Sequence, residues 1–397
     1  MKRYIQPDFQ RPDTPTIFQL VKRSAVFKPT RPTVAEIDLH ALAGNLLGIR
    51  KKVGRDVRVM GVVKANAYGH GILEISRYLV RQKIDYLGVA NAEEGVALRE
   101  QGIQTPVHVF TLPSEQQAVL PVRYNLEPTV CTEEDAGRLN IHAQRARRTV
   151  SVHLKIDTGM NRIGVRAGDL PRLLKSIASM RRIDLKGVYT HFATADWHDK
   201  RFSRVQLTEF HKALDILHRS AVEPELVHCA GSAGILDLPE SYFSMVRPGI
   251  AMYGYYPSRE TTESIRLKPV LTLKSRVSLV KWIEKGESVS YGRSFYAPRR
   301  TRIATLPLGY ADGYFRLLTG RSYALIAGKK FPVIGTICMD QLMVDVGTHD
   351  IGAGDEAVLI GRQGKHTISA WDLASIIGTI PYEICTNISS RVPRIAG

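Results

Sequence analysis

Eight short apolar runs recur along the first two-thirds of the chain: Val59–Val63, Tyr86–Ala90, Val107–Phe110, Glu127–Val130, Val150–Ile156, Gly187–His191, Glu225–Cys229 and Ser244–Val246. In Val59–Val63 the apolar run is continuous, which suits a parallel strand covered on both faces. Helical stretches separate the runs, so each run with its following helix reads as one βα unit. The alternation predicts a parallel sheet, and the count predicts a (β/α)8 barrel. A doubly wound sheet is the structural alternative. Upstream, Glu36-Ile37-Asp38-Leu39 reads as a strand and Ala41–Ile49 as an amphipathic helix. After about Leu267 the texture changes. Val270–Val280, Ser288–Tyr291, Ile303–Leu308, Tyr323–Ala327, Val333–Ile337, Leu342–Val346 and Ala357–Ile360 are short β-rich runs. Glycine-bearing turns such as Ala327-Gly328-Lys329-Lys330 separate most of them. The expected organisation is a basic, irregular extension over 1–31, a barrel over 32–266 and a β-rich, all-β domain over 267–397.

Composition narrows the class. The 397 residues leave room for two domains and a large core. At 44% hydrophobic and 23% charged the chain is ordinary globular protein. No apolar run approaches the roughly 18 residues of a transmembrane helix. Thr16–Phe27 is interrupted by Lys22-Arg23 and lacks a signal-peptide core. The expectation is therefore a cytoplasmic protein with no membrane partner. Cys131, Cys229, Cys338 and Cys385 have no paired spacing and read as reduced thiols, with no metal site. The net charge of +17 raises nucleic-acid binding as a rival. The clusters Arg145–Arg148 and Arg299–Arg302 carry no interleaved aromatics or nucleic-acid motif. They read as solvated surface, with no nucleic-acid partner.

Chemistry concentrates where the strands end. Arg58-Val59-Met60-Gly61 leads into Val62-Val63-Lys64-Ala65-Asn66-Ala67-Tyr68-Gly69-His70-Gly71. Met60, Val62 and Lys64 share one face of that strand, and two glycines let the chain turn after it. A desolvated lysine at such a strand end loses its proton and can form a Schiff base. The plainer alternative is a lysine that snorkels to water. On the fifth strand His153, Lys155 and Asp157 share a face, and Arg162 follows. If that face points inward, Lys155 beside Arg162 is a costly buried charge that needs an anion, or finds Asp157. The loops after strands seven and eight are the usual phosphate site of a barrel. There Ser232 offers a hydroxyl, and Gly249 and Ile250 offer backbone N–H groups that Pro248 lacks.

The VKANAYGHG stretch resembles the pyridoxal-phosphate lysine motif of bacterial alanine racemases, and the resemblance runs from about Glu36 to Arg394. The long form is far more specific than the K-A-N shared by several cofactor barrels. Three later runs reinforce it: Val289-Ser290-Tyr291-Gly292, Leu308-Gly309-Tyr310-Ala311-Asp312-Gly313 and Ile337-Cys338-Met339-Asp340. The resemblance implies pyridoxal 5'-phosphate held by Lys64, with a phosphate cup at Ser232, Gly249 and Ile250 aided by Tyr68 and Tyr382. His191 would pack on the cofactor ring. Arg247 would face its pyridine nitrogen; arginine only donates, so that nitrogen stays unprotonated and transamination is disfavoured. Lys155 would be open to carbamylation and pair with Arg162. Arg162, Tyr310, Met339 and Asp340 would be substrate-binding. Tyr291, Tyr310, Met339 and Asp340 would reach the partner's site in a homodimer. Lys64 and Tyr291 would be the two catalytic bases, serving D- and L-alanine respectively. The implied function is interconversion of L- and D-alanine, supplying D-alanine for peptidoglycan. The alternatives are a broad-specificity amino-acid racemase and a non-catalytic cofactor-binding protein. Gly231 departs from the family's usual asparagine and leaves the substrate range open.

Overall fold

The computed structural model describes residues 30–397; the rest of the extension expected over 1–31 lies outside the described residues. Eight parallel strands form the first sheet. They are β2 (Arg58–Val62), β3 (Tyr86–Val89), β4 (Val107–Val109), β5 (Glu127–Val130), β6 (Val150–Lys155), β7 (Ile183–Tyr189), β8 (Leu226–His228) and β9 (Met245–Val246). Hydrogen bonding links β8 to β2 in sequential order, and β9 pairs with β2. The remaining gap, between β8 and β9, is bridged by Gly231 and Arg247, with the Arg247 N–H donating to Ala230 O at 2.9 Å. The barrel predicted from the apolar runs is therefore present. β7 begins at Ile183, four residues earlier than the apolar pattern indicates. Of its leading residues Asp184 is exposed and Ile183, Leu185 and Lys186 are half-exposed, so the apolar pattern misses them; Ile183 to Leu185 pair with β6, and Lys186 is skipped at the register shift at Val152/His153.

Helices cover the outside because their starts are well specified. Asn91 caps Ala92–Glu100 and Thr132 forms a reciprocal capping box with Asp135 on Glu133–Arg145. Inside the barrel, Met60, Tyr86, Leu226 and Met245 make an apolar plug. Above it sits an unusual polar layer containing the fully buried His108, His153 and His228.

The strand expected at Glu36–Leu39 is β1 (Val34–Ile37), displaced because Asp38 instead caps the helix Leu39–Val53 by accepting from Ala41 N–H at 2.8 Å. β1 does not join the barrel. It lies between β10 (Leu271–Arg276), antiparallel, and β20 (Arg394–Ala396), parallel. The second sheet continues through β11 (Leu279–Ile283), β14 (Thr301–Leu306), β15 (Tyr323–Ile326), β16 (Lys329–Ile334), β17 (Leu342–Gly347), β18 (Glu356–Gln363) and β19 (His366–Ile368). The short ribbon β12 (Ser288–Val289) and β13 (Phe295–Tyr296) stands apart. The apolar run Val270–Val280 is two strands, β10 and β11, broken at Val277-Ser278. Ala327 and Gly328 both take positive φ (47° and 72°), the backbone of a two-residue hairpin turn. The all-β expectation fails at two helices, Ala370–Ile377 and Pro381–Thr386. Ser369 and Asp372 form a capping box on the first, and Pro381 opens the second.

Asn45, on the Leu39–Val53 helix, pins the connection out of the barrel. Its Nδ2 donates to Lys268 O at 2.8 Å and to Met252 O at 3.1 Å, and its Oδ1 accepts from Lys268 N–H at 2.8 Å. Gly254 lies inside this clasp with φ of +91°, and a Cβ there would come 1.9 Å from Lys268 O. Gly254→Ala is therefore expected to lower unfolding stability by about 2–4 kcal/mol, from left-handed strain plus overpacking. Urea unfolding of the variant measures it.

Candidate active site

The chain leaves β2 through a left-handed turn. Ala65, Asn66, Ala67 and Tyr68 all hold φ of 52–54°. Left-handed conformations cost L-residues roughly 1–2 kcal/mol each, so such a run persists only where its surroundings fix it. Three contacts do so here. Glu94 accepts from the Ala65 N–H at 2.7 Å and from the Ala90 N–H at 2.8 Å, tying the turn to the end of β3. Asn66 Oδ1 accepts from Ile72 N–H at 2.9 Å. Arg394, the first residue of β20, donates from Nε to Gly69 O at 2.9 Å. The turn places Lys64 and Tyr68 on the wall of one cavity.

That cavity, of about 220 Å³, is lined by Lys64, Tyr68, Lys155, Arg162, His191, Ser232, Arg247, Gly249, Ile250 and Tyr382. Val62, Phe110, Ile163, Tyr189 and Gly231 complete it. Ser232 Oγ accepts from the Gly249 N–H (3.0 Å) and the Ala251 N–H (3.2 Å), gathering the loops after β8 and β9. Gly249 lacks the Cβ that would otherwise lie 2.3 Å from the Tyr68 hydroxyl. Burial raises the Tyr68 and Tyr382 hydroxyl pKa values, so both stay neutral donors.

Four basic side chains share the cavity: Lys64, Lys155, Arg162 and Arg247. Arg247 is held by four contacts: to His228 Nδ1 (2.8 Å), Thr190 O (2.8 Å), Cys229 O (2.9 Å) and His191 Nδ1 (3.2 Å). Burial lowers its pKa to about 10, which still leaves it charged at neutral pH. Burial, and then the charges of Arg162 and Arg247, lower the Lys64 amine below the ordinary lysine range despite Glu94 nearby. Lys155 is 2% exposed, and its Nζ has no hydrogen-bond partner among the described residues; it lies 4.7 Å above the Tyr189 ring. Burial and the charges of Arg247 and Arg162 push it far below the ordinary range. Asp157 does not neutralise it by an ion pair; that carboxylate accepts instead from the N–H groups of Gly159 and Asn161, both at 3.0 Å.

Tyr291, Tyr310, Met339 and Asp340 do not line this cavity. They stand exposed on the β-rich part, Tyr291 at 75%, Met339 at 52% and Tyr310 at 40%. Tyr291 lies instead on a separate cavity of about 510 Å³ with Cys338, Gln341 and Met343. Asp340 accepts from Arg391 at 2.7 Å.

Residues 37–257 match the family of the alanine racemase N-terminal domain, and 270–396 match the alanine racemase C-terminal domain. The chain belongs to the alanine racemase family. An alanine racemase of Carboxydothermus hydrogenoformans is 45% identical over 92% of this chain and 99% of its own. The structure of an alanine racemase from Clostridium difficile 630 superposes with a TM-score of 0.90 at 37% identity, covering 93% of this chain and 97% of that one. A histidine racemase from Leuconostoc mesenteroides also superposes, with a TM-score of 0.87 at 29% identity over 93% of this chain and 99% of that one.

Several site residues of this racemase-family chain escape a reading of its motifs. Phe110 directly follows β4, and its ring centre lies 5.9 Å from Lys64 Nζ, where the strand-end rule would have found it. Tyr189 sits two positions before His191 on β7, and its hydroxyl hydrogen-bonds Thr129 Oγ1 at 2.8 Å. Burial pushes its pKa up to about 12. Glu94 carried no signal, because its role depends on the left-handed turn.

Proposed function

We propose that this chain is a pyridoxal-phosphate-dependent alanine racemase acting as a homodimer, with Lys64 and Tyr291 as bases on opposite faces of the substrate. The observation that carries it is the desolvated Lys64 amine facing the fixed Arg247 guanidinium across one cavity. The donor set suits pyridoxal phosphate: a lysine amine, an arginine fixed in place, a ring-sized apolar wall, and a cup that Gly249 leaves open beside Tyr68. Lys64 would hold the cofactor covalently, and Ser232, Gly249, Ile250, Tyr68 and Tyr382 would hold its phosphate. When bound, the cofactor supplies an electron sink that acidifies the substrate's α carbon. Arg247, a donor only, would leave the cofactor's pyridine nitrogen without a proton and so keep that sink weak. Lys64 takes the α proton of D-alanine, and Tyr291 of the other chain takes that of L-alanine. Its position away from the Lys64 cavity of its own chain supports the shared-site reading. Burial lowers the pKa of His191, and Arg247 adds to that, so it serves as a neutral packing face. Burial, and then the charges of Arg247 and Arg162, favour the free amine of Lys155, which could add carbon dioxide and release a proton, giving an anionic carbamate beside Arg162 and Arg247. Arg162, Tyr310, Met339 and Asp340 would contact substrate. We place the enzyme in the cytoplasm; no described helix is long and apolar enough to cross a membrane.

Racemisation of a panel of free amino acids tests the reading, with alanine expected to be turned over fastest. Comparable rates for several side chains would favour the broad-specificity reading, to which the histidine racemase of the same fold and the departure at Gly231 give weight. Assembly has its own test. Lys64→Ala and Tyr291→Ala chains, each inactive, should regain up to about a quarter of wild-type activity when mixed and allowed to exchange. Half the dimers are then mixed, and each carries one intact site of two. Demonstrated heterodimers without recovery would mean that each site is built within one chain.

A further inference from the structure

A row of hydrogen bonds runs through the polar layer of the barrel, from β7 to the site. Lys186 Nζ donates to Glu127 Oε1 at 2.8 Å, and Glu127 Oε2 meets His153 Nε2 at 2.9 Å. His153 Nδ1 meets His228 Nε2 at 2.9 Å, and His228 Nδ1 meets Arg247 Nη1 at 2.8 Å. Glu127 supplies a carboxylate at one end, and Arg247 a guanidinium at the other. The chemistry of the two ends fixes everything between them. Arginine has no acceptor, so His228 Nδ1 must be bare and its proton must sit on Nε2. That proton is donated to His153 Nδ1, so the His153 proton sits on Nε2 and is donated to Glu127. Every member is satisfied with both rings neutral.

We propose that Glu127 is a positioning residue for Arg247: as the terminal acceptor it fixes the ring protons of His153 and His228, so that His228 presents a bare nitrogen to the guanidinium. The alternative arrangement moves both protons to Nδ1 and sets a ring N–H against an arginine N–H. A buried donor facing a donor is left unsatisfied, and Arg247 would turn away from His228. The row cannot feed protons to the site, because arginine does not accept one. Its effect is orientation. The surroundings agree. Burial lowers the pKa of His228, and the charge of Arg247 adds to that, keeping the ring neutral. Burial alone would raise Glu127, but hydrogen bonds from His153 and Lys186 hold it below its ordinary value. Four further groups face the row: the His108 ring at 4.2 Å from His153, Tyr86 at 6.4 Å from it, Tyr189 stacked on His228 at 4.9 Å, and Lys155 over Tyr189. None of them is hydrogen-bonded to either ring of the row.

The effect on chemistry rests on the function proposed above; the ring-proton assignment does not. The holoenzyme labelled with 15N-histidine should give, by NMR, both His153 and His228 as neutral rings protonated at Nε2. Glu127→Leu removes the acceptor. Its His153 and His228 signals should lose that single form, kcat should fall roughly tenfold with little change in KM, and pyruvate released per racemisation should rise. Glu127→Gln keeps an acceptor oxygen and should restore most of kcat and the wild-type signals, with the half-buried Lys186 turning to water. Three results would overturn the proposal. One is a wild-type His228 protonated at Nδ1, which needs no variant to fold. Another is a Glu127→Leu enzyme with unchanged ring protons. The third is Glu127→Gln failing as badly as Glu127→Leu. A wild-type enzyme that racemises nothing would refute the functional reading instead, leaving the NMR result to decide the row.

Discussion

Lys64→Ala should lower racemisation of alanine at least about 10⁴-fold, because two separate contributions vanish together. Removing a general base typically costs about 10²–10⁴-fold. The covalent hold on the cofactor is lost as well, so the variant should also lose the yellow colour of the wild-type protein on gel filtration. Borohydride treatment of wild type should fix the cofactor to the peptide containing Lys64. The competing lysine is Lys155, in the same cavity and even more strongly depressed by burial and by Arg247. Geometry separates the two. Lys64 lies beside Phe110 and is only partly buried, whereas Lys155 is sealed over Tyr189. Label on Lys155 alone would end the assignment of Lys64. The lowered pKa carries a sign: Lys64 becomes a free amine at a lower pH than an ordinary lysine, through burial first and Arg162 second. Borohydride-independent amine labelling of the cofactor-free protein should therefore rise at lower pH for Lys64 than for exposed lysines.

The cavity was legible because a barrel gathers strand ends at one face, and the chain places its chemically capable residues there. Lys64, Lys155, His191, Ser232 and Arg247 come from five different strand ends, and all ten residues expected near the cofactor or its modified lysine share one wall. What stayed hidden depended on contacts between distant parts of the chain. Nothing in Val34–Ile37 tells that its partners are Leu271–Lys274 and Arg394–Ala396, because both lie more than two hundred residues downstream. The left-handed turn after Lys64 contains no glycine at 65–68, so residue type argued against it, and Glu94, Asn66 and Arg394 impose it through hydrogen bonds. The Ala370–Ile377 helix was the opposite case. Its Ser369…Asp372 capping box was present in the sequence but was outweighed by the β texture around it. The buried His153 was visible only as a neighbour of Lys155. Its bond to His228 joins β6 to β8, and no local pattern encodes that.

Tyr291→Phe should divide the reaction in half instead of abolishing it. With one base on each face, the variant keeps Lys64 and loses the hydroxyl that serves L-alanine. Lys64 can still take the α proton of D-alanine and return a solvent deuteron to the same face, which regenerates D-alanine carrying deuterium at Cα. In deuterated water the variant should therefore label D-alanine much faster than it forms L-alanine. L-Alanine should show little exchange, because its α hydrogen points toward the missing hydroxyl. The difference between the enantiomers should be about 10²–10⁴-fold, the usual worth of a general base. Phenylalanine keeps the ring, and Tyr291 is 75% exposed within its own chain, so folding of the single chain should be unchanged and a structural explanation can be checked by thermal unfolding. Proton NMR of the Cα signal follows both enantiomers in parallel samples. Equal loss of exchange for both would make Tyr291 a residue of assembly or packing. Equal retention would mean that water or another side chain serves the second face, and the two-base reading would fall while the assignment of Lys64 stood.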